Sequence, residues 1–296
     1  MKPFEITVPA SSGNVGPGFD SMGLALNLYL TLQVEEANQW EFHTGSPVTD
    51  TEDHFIVKIA KQAASWHGRE LPPLKLTEKS DIPLARGLGS SASAILAGIE
   101  LANQVCDLSL SKDDILRFGT EIEGHPDNIA PSLFGGLVIS TAFEQDIEYV
   151  QVKNLSMDII VYIPEVELKT EEARNVLPET YPKDVAARAS GISNLVVASL
   201  LQGDYAFAGK MMEKDLFHEP YRAKLIPNYE RIRYEAKQNG AYGTIISGAG
   251  PTMLSIAPHG KGQTIAENMQ QILPEYNIKT VAVDEKGLTV TELSHP

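Results

Sequence analysis

An α+β fold built in two halves is the architecture this sequence predicts, and three features predict it. Residues Leu24 to Val34 alternate, with Leu24, Leu26, Leu28, Leu30, Leu32 and Val34 on one face and Asn27, Tyr29, Thr31 and Gln33 on the other. That is the pattern of a half-buried antiparallel strand. A glycine loop at Pro83 to Ser93 then runs straight into an apolar-striped helix with no buried strand before it. The first half therefore reads as strands followed by helices rather than as βαβ units. At 296 residues the chain is long enough for two domains of ordinary size.

In chain order, Phe4, Ile6 and Val8 predict a short strand, and Pro9 to Gly23 a long glycine-bearing loop before the alternating strand. Helices are expected over 54–66, over 90–105 and over 112–123, the last introduced by Ser111 as N-cap. Gly135 and Gly136 punctuate the entry to strands near 137–141 and 147–152. A buried strand at 158–163 opens the second half. Helices follow at 171–177, 184–201, 204–214 and 227–239, with Gly240 as the residue that ends the last one. Short strands at 244–247 and 253–257 flank Gly248-Ala-Gly-Pro-Thr252, and others are expected at 278–283 and 288–292. The expected domains are 1–155 and 156–296, without internal repeats.

Composition narrows the function. The 24 basic and 39 acidic residues leave a formal charge of -15, which excludes nucleic acid and anionic membranes as general partners. An anionic substrate must be held by locally focused positive groups. No apolar run approaches the roughly 18 to 20 residues of a membrane span, and Met-Lys-Pro-Phe-Glu-Ile-Thr-Val lacks the apolar core of a signal peptide. Cys106 is the single cysteine, so no intrachain disulfide forms and a cytoplasmic setting is expected. Its place among apolar neighbours at a helix end reads as structural.

The segment Pro83, Leu84, Ala85, Arg86, Gly87, Leu88, Gly89, Ser90, Ser91, Ala92 and Ser93 reads as a phosphate cradle. Gly87 and Gly89 allow close backbone approach, and the following helix start offers unpaired N–H groups to an anion. Ser90 and Ser91 add hydroxyls for phosphate or Mg2+. The loop lacks the lysine of a Walker A sequence. Gly87-x-Gly89-x-x-Ala92 fits a dinucleotide fingerprint, with Asp107 falling 20 residues on, yet it lacks the preceding strand. A glycine-rich turn that binds nothing is the plain alternative.

Two further glycine-containing segments accompany it: Pro9-Ala-Ser-Ser-Gly-Asn-Val-Gly-Pro-Gly-Phe-Asp-Ser-Met-Gly-Leu-Ala-Leu26 and Ser247-Gly-Ala-Gly-Pro-Thr252. In order and spacing the three resemble the motifs of the GHMP kinases, over nearly the whole chain. The resemblance implies a two-domain α+β architecture with ATP in the interdomain cleft, Mg2+, and phosphoryl transfer to a small-molecule hydroxyl. Asn14-x-Gly-x-Gly-Phe-Asp20 and Glu123-Gly-His-Pro-Asp-Asn-Ile-Ala-Pro131 are similar to the homoserine kinase branch. So are Lys169-Thr-Glu-Glu-Ala-Arg174-Asn-Val-Leu-Pro178 and Glu219-Pro-Tyr-Arg222-Ala-Lys-Leu-Ile-Pro227. That branch implies ATP-dependent conversion of L-homoserine to O-phospho-L-homoserine in threonine biosynthesis, and a homodimer. The competing readings are a kinase of another small alcohol and a noncatalytic amino-acid or nucleotide sensor.

Homoserine carries a carboxylate, an ammonium and a primary hydroxyl. Arg174 and Arg222 suit the carboxylate, because guanidinium forks bind carboxylates bidentately; taken singly, each also reads as a surface salt-bridge former. Asp20 suits the ammonium, with Asn14, His125, Asp127 and Thr170 as further substrate-binding groups. Asn14 and Asn128 are expected to orient the hydroxyl, and either Asp20 or a phosphate oxygen to receive its proton, since an asparagine cannot. Gly248 and Gly250 of the third motif join the cradle around the nucleotide. Mg2+ is expected on Ser91 and Glu123, with Glu121 as competitor. Glu121-x-Glu123-x-His125-x-Asp127 as a transition-metal strand is disfavoured by Pro126. Gly13, where the family often has alanine, is expected to loosen the first loop. His54 and Lys58 are candidates to border the expected adenine pocket, with a solvated helix face as the favoured reading.

Overall fold

The computed structural model describes residues 1–44, 54–143 and 146–293. Two antiparallel strands open it, β1 Phe4–Gly13 and β2 Met22–Glu36. Then come β3 Glu41–His43, α1 Phe55–Trp66, β4 Leu74–Ser80, α2 Ser90–Cys106, α3 Lys112–Glu123 and α4 Pro126–Phe134. A hairpin of β5 Leu137–Phe143 and β6 Asp146–Val152 follows. The second half contains β7 Met157–Ile163, α5 Thr170–Asn175, α6 Lys183–Gln202, α7 Tyr205–Met212, α8 Glu219–Arg222 and α9 Tyr229–Gln238. It finishes with β8 Gly243–Ile246, β9 Met253–Pro258, α10 Gly262–Ile272, β10 Asn277–Val281 and β11 Thr289–Glu292.

The first sheet runs β11-β1-β2-β4-β3, with β5 also on β2 and β6 on β5. The second runs β10-β7-β9-β8. The chain changes sheet between Val152 and Met157, and β11 returns to pair with β1. Strand β7 is buried on both faces. Ile159, Val161 and Ile163 join the large core shared with the first sheet, whereas Ile160 and Tyr162 join a second core with residues of α9 and α10. That two-sided burial explains its unbroken apolar run.

The long loop expected from Pro9 is shorter than the sequence reading allows. Strand β1 continues through Gly13 and passes a register shift between Pro9 and Ala10. A bulge tolerates proline inside a paired strand. The small residues Ala10, Ser11 and Ser12 carry no strand signature, but all are fully buried. Among the described residues, β3, β4, α8 and α10 are additional to the sequence reading, and β4 corrects it: a strand with buried Leu74 and Leu76 does precede the cradle, but it pairs antiparallel with β2 rather than within a βαβ unit. Helix α4 has no amphipathic pattern because all nine of its residues are buried. Helix α3 matches its expected span, and Ser111 caps it in a reciprocal pair with Asp114.

Candidate active site

The three glycine segments converge, and their backbones are hydrogen-bonded pairwise. Ser11 N–H donates to Leu88 O at 3.1 Å, Gly248 N–H to Gly13 O at 3.1 Å and Thr252 N–H to Arg86 O at 3.3 Å. Gly87 is required here for its neighbours: a Cβ would lie 2.3 Å from Ser247 O and 2.8 Å from Gly250 O. Gly87 thus lets two loops touch as well as lining the cleft, where the sequence reading expects close approach of a ligand. Gly13 likewise does not slacken its loop. The space an alanine methyl would take is filled by Asp127 Oδ2 and Asn128 Nδ2, 2.3 and 2.6 Å from that Cβ position.

Against this junction lies a cleft of about 590 Å³. From the cradle, Leu84, Ala85, Gly87, Gly89, Ser90 and Ser91 line it. Pro83, Arg86, Leu88, Ala92, Ser93 and Gly250 do not. Leu88, Ala92 and Ser93 are fully buried behind the loop, and Ser93 Oγ bonds Pro9 O at 3.1 Å. Arg86 straps the cradle to the second half, through Pro164 O, Glu165 O and the Glu167 carboxylate. Gly250 packs toward Ile226 and Leu168 instead.

At one wall, Ser91 Oγ donates to Glu123 Oε2 at 2.8 Å, at the start of α2 and the end of α3. Both residues line the cleft, while Glu121 is exposed and does not. The start of α4 supplies the next wall. His125 Nδ1 is 2.5 Å from Asp127 Oδ1, and Asn14 N–H donates to Asp127 Oδ2 at 3.1 Å. Ligand atoms of Asp20, His125 and Asp127 lie within 4.8 Å of one another. Burial opposes charge on His125, but the hydrogen bond and the charge of Asp127 prevail, so its imidazole is held above the ordinary value. Asn128 Oδ1 accepts from Ser11 Oγ at 3.1 Å.

Asn14 is spent on the loop itself. Its Nδ2 donates to Gly248 O at 2.9 Å and its Oδ1 accepts the Asp20 N–H at 3.0 Å. Asn14 and Asp20 both adopt positive φ, at 68° and 54°. Such backbone is held only by surrounding structure and gathers at functional sites.

Arg174 and Arg222 meet over one aromatic ring, with guanidinium carbons 5.7 and 5.5 Å from the Phe19 centroid. Arg174, half-exposed, forks Asp20 with contacts of 2.7 and 3.2 Å. Arg222 is 2% exposed. Its Nε donates to Ala173 O at 2.9 Å, and its Nη1 donates to His218 Nδ1 and to Gly248 O, both at 3.2 Å. Nη2 has no hydrogen-bond partner among the described residues. Burial and the nearby Arg174 charge push Arg222 down to about 10, so it stays a cation at neutral pH.

The sequence reading missed what holds Arg222. Asp215 accepts the N–H groups of Phe217, His218 and Glu219 at 2.7–2.9 Å. Glu219 is buried; its Oε1 accepts from Ile246 N–H at 2.7 Å and its Oε2 from Tyr229 Oη at 2.6 Å. His218 and Arg222 are four apart, a spacing that places them on one helical face and was readable in principle. Thr170, at the start of α5, lines the cleft beside Lys169. At the far end His54 pairs with Glu78 at 3.3 Å and stacks on Phe42, whereas Lys58 is exposed.

Comparison with known proteins agrees with this geometry. The model of the GHMP kinase N-terminal domain matches residues 54–136, and that of the GHMP kinase C-terminal domain residues 196–275. A homoserine kinase of Oceanobacillus iheyensis is 58% identical over 294 residues, covering 99% of this chain and 100% of the relative. A homoserine kinase of Bacillus licheniformis is 46% identical over 297 residues, 98% of this chain and 96% of the relative. The crystal structure of homoserine kinase from Cytophaga hutchinsonii superposes with a TM-score of 0.85 at 26% identity, covering 98% of both chains. Three joined glycine loops, a split pair of sheets and these full-length likenesses lead to one conclusion: the chain belongs to the homoserine kinase branch of the GHMP kinase family.

Proposed function

We propose that the chain transfers the γ-phosphoryl group of ATP to the side-chain hydroxyl of L-homoserine, yielding O-phospho-L-homoserine and ADP, as a step of threonine biosynthesis. The observation that carries this is the pair of guanidiniums over Phe19, beside the acidic cluster of Asp20 and Asp127. A substrate bearing a carboxylate and an ammonium on one carbon matches that division of charge. Arg222 Nη2 and Arg174 take the carboxylate; Asp20 and Asp127 surround the ammonium, with His125 held on Asp127; Thr170 closes the rim. A sugar or a mevalonate-like alcohol would leave one half of this charge pattern unpaired.

The nucleotide lies with its phosphates at the cradle, against the N–H groups at the start of α2. Its base lies toward His54, Phe55 and Leu30, the apolar far end of the cleft. The Ser91 and Glu123 oxygens, two hard donors 2.8 Å apart, fit Mg2+, which favours few protein oxygens plus water and phosphate. When bound, Mg2+ neutralises charge on the β- and γ-phosphates. Asn128, which lines the cleft next to Asp127 on α4, orients the hydroxyl. That oxygen forms a bond to the γ-phosphorus as the bond to the bridging oxygen breaks. Both oxygens of Asp20 accept from Arg174 and Asn128 cannot take a proton, so we assign the hydroxyl proton to a phosphate oxygen. Positioning rather than a strong base carries the catalysis. A sensor without turnover would have no use for the Ser91 and Glu123 oxygens beside an acceptor site.

The change of sheet supports a first domain of 1–155 and a second of 156–296, with β11 crossing back. The family relation supports a homodimer and a cytoplasmic setting; among the described residues no helix is long and apolar enough to cross a membrane. The substrate reading is tested with two analogues, 3-amino-1-propanol without the carboxylate and 4-hydroxybutanoate without the ammonium. Each is expected to lose at least about a hundredfold in kcat/KM against L-homoserine. Turnover of the carboxylate-free alcohol at the homoserine rate would overturn it.

A further inference from the structure

His218 is fully buried, lies outside the cleft lining and takes no part in the chemistry above, yet every polar atom of its ring is committed. Arg222 Nη1 donates to Nδ1 at 3.2 Å, so Nδ1 must be the bare acceptor nitrogen. Nε2 then carries the hydrogen, and it points at Gly16 O, 2.8 Å away in the first glycine loop. The ring also stacks on Phe19, at 5.6 Å between centroids, and Phe19 is the platform for both guanidiniums. One imidazole in one tautomer thus joins the loop of Asn14 and Asp20 to the cation at its other side.

The segment before it is anchored by Asp215, whose Oδ2 also lies 3.5 Å from His218 Nε2. Asp215 caps it with three backbone N–H acceptances, and Glu219 ties it to β8 just before the third motif. With His218 held from behind, only Arg222 remains to be aimed. Its Nε and Nη1 are consumed by Ala173 O, Gly248 O and His218, which leaves Nη2 as the unspent edge of the fork. Arg222 has a long, rotamer-rich side chain, and fixing it in advance removes an ordering cost from binding.

We propose that His218 is a positioning residue for the acceptor site: as the Nε2–H tautomer it fixes the Arg222 guanidinium and couples it to the first glycine loop, setting the affinity for the substrate carboxylate. This rests on the reading of Arg222 as carboxylate partner. The ring's two halves can be separated. His218→Asn keeps an acceptor near Nδ1 and loses the Gly16 contact, whereas His218→Gln keeps a donor near Nε2 and loses the acceptor for Arg222.

Steady-state kinetics of the full chain with Mg-ATP and L-homoserine test the idea, with thermal melts confirming that each variant folds. His218→Gln is expected to raise the homoserine KM about tenfold or more while the ATP KM stays within about twofold. His218→Asn is expected to recover most of that loss. An unchanged homoserine KM in a folded His218→Gln variant would overturn the proposal, as would equal rises in both KM values. Arg222→Ala is measured in parallel. If it leaves the homoserine KM unchanged, the substrate reading fails; if it raises that KM and the folded His218 variants do not, the positioning role fails alone. Should the variants not fold, imidazole nitrogen NMR of the unmodified protein at pH 7 decides: an Nε2–H neutral ring supports the coupling, and an Nδ1–H ring or an imidazolium contradicts it.

Discussion

Arg222 concentrates the account at the scale of one residue. Its guanidinium is 2% exposed, with three of its bonds made to protein and one edge unspent, and in the proposed reading that edge receives the substrate carboxylate. Removing it takes away a charge-assisted, desolvated contact, for which about 2–4 kcal/mol is reasonable. Arg222→Ala should therefore raise the homoserine KM roughly 30-fold to several hundredfold, with the ATP KM nearly unchanged; steady-state kinetics with each substrate varied in turn would show it. Nearby Glu219 makes a pH prediction. Burial raises its carboxyl from 4.5 to about 7, against the hydrogen bonds from Tyr229 and Ile246. The folded state then binds this proton more tightly than the unfolded one. Its contribution is most favourable below about pH 4.5 and is lost as pH rises through 7, by on the order of 3 kcal/mol. Urea unfolding should find the stability of the unmodified protein, relative to Glu219→Gln, highest near pH 4.5 and lower at pH 8; a difference that grows with pH would contradict this.

At the scale of elements, the first, second and third glycine motifs are one junction. Each pair is joined by a backbone hydrogen bond, and Gly87 sits where two of the loops come into contact. Gly87→Ala would add a Cβ 2.3 Å from Ser247 O at a residue with φ of 72°. Both effects are penalties of about 1–3 kcal/mol. The expected outcome is a lowered melting temperature together with weakened ATP binding, read by thermal melts and nucleotide titration. The elements legible in the sequence were those with a period or a cap: the alternating β2, the capped α3 and the long α6. Those that escaped lacked either signal. Helix α8 is one turn long, and the Ala10 to Gly13 end of β1 consists of small residues whose partners are distant in sequence. The site divided in the same way. Ser91 could be read from its place beside the glycines and Asp20 through the family resemblance its motif carries, but the His218 to Gly16 tie spans 202 residues and no local pattern announces it.

For the whole molecule, the governing fact is a strongly acidic chain, formally -15, that must bind the polyanion ATP and the carboxylate of a zwitterionic amino acid. Dipoles and cations are focused in one cleft, with the start of α2 at one end and two arginines at the other, and the proposed function places both substrates there. Ligands that bind only the folded form stabilise it by mass action, about 2.7 kcal/mol at a hundredfold excess over Kd. Mg-ATP and L-homoserine should thus each raise the melting temperature, and together raise it further, whereas mevalonate should not. In the proposed reading this cleft brings ATP to an acceptor with a carboxylate and an ammonium. The most direct test of that reading is Mg-dependent ATP turnover with L-homoserine, L-serine, mevalonate and galactose, with each product identified by mass. Turnover confined to L-homoserine, with a product heavier by one phosphoryl group, is the predicted result; turnover of mevalonate or galactose with none of homoserine would contradict it.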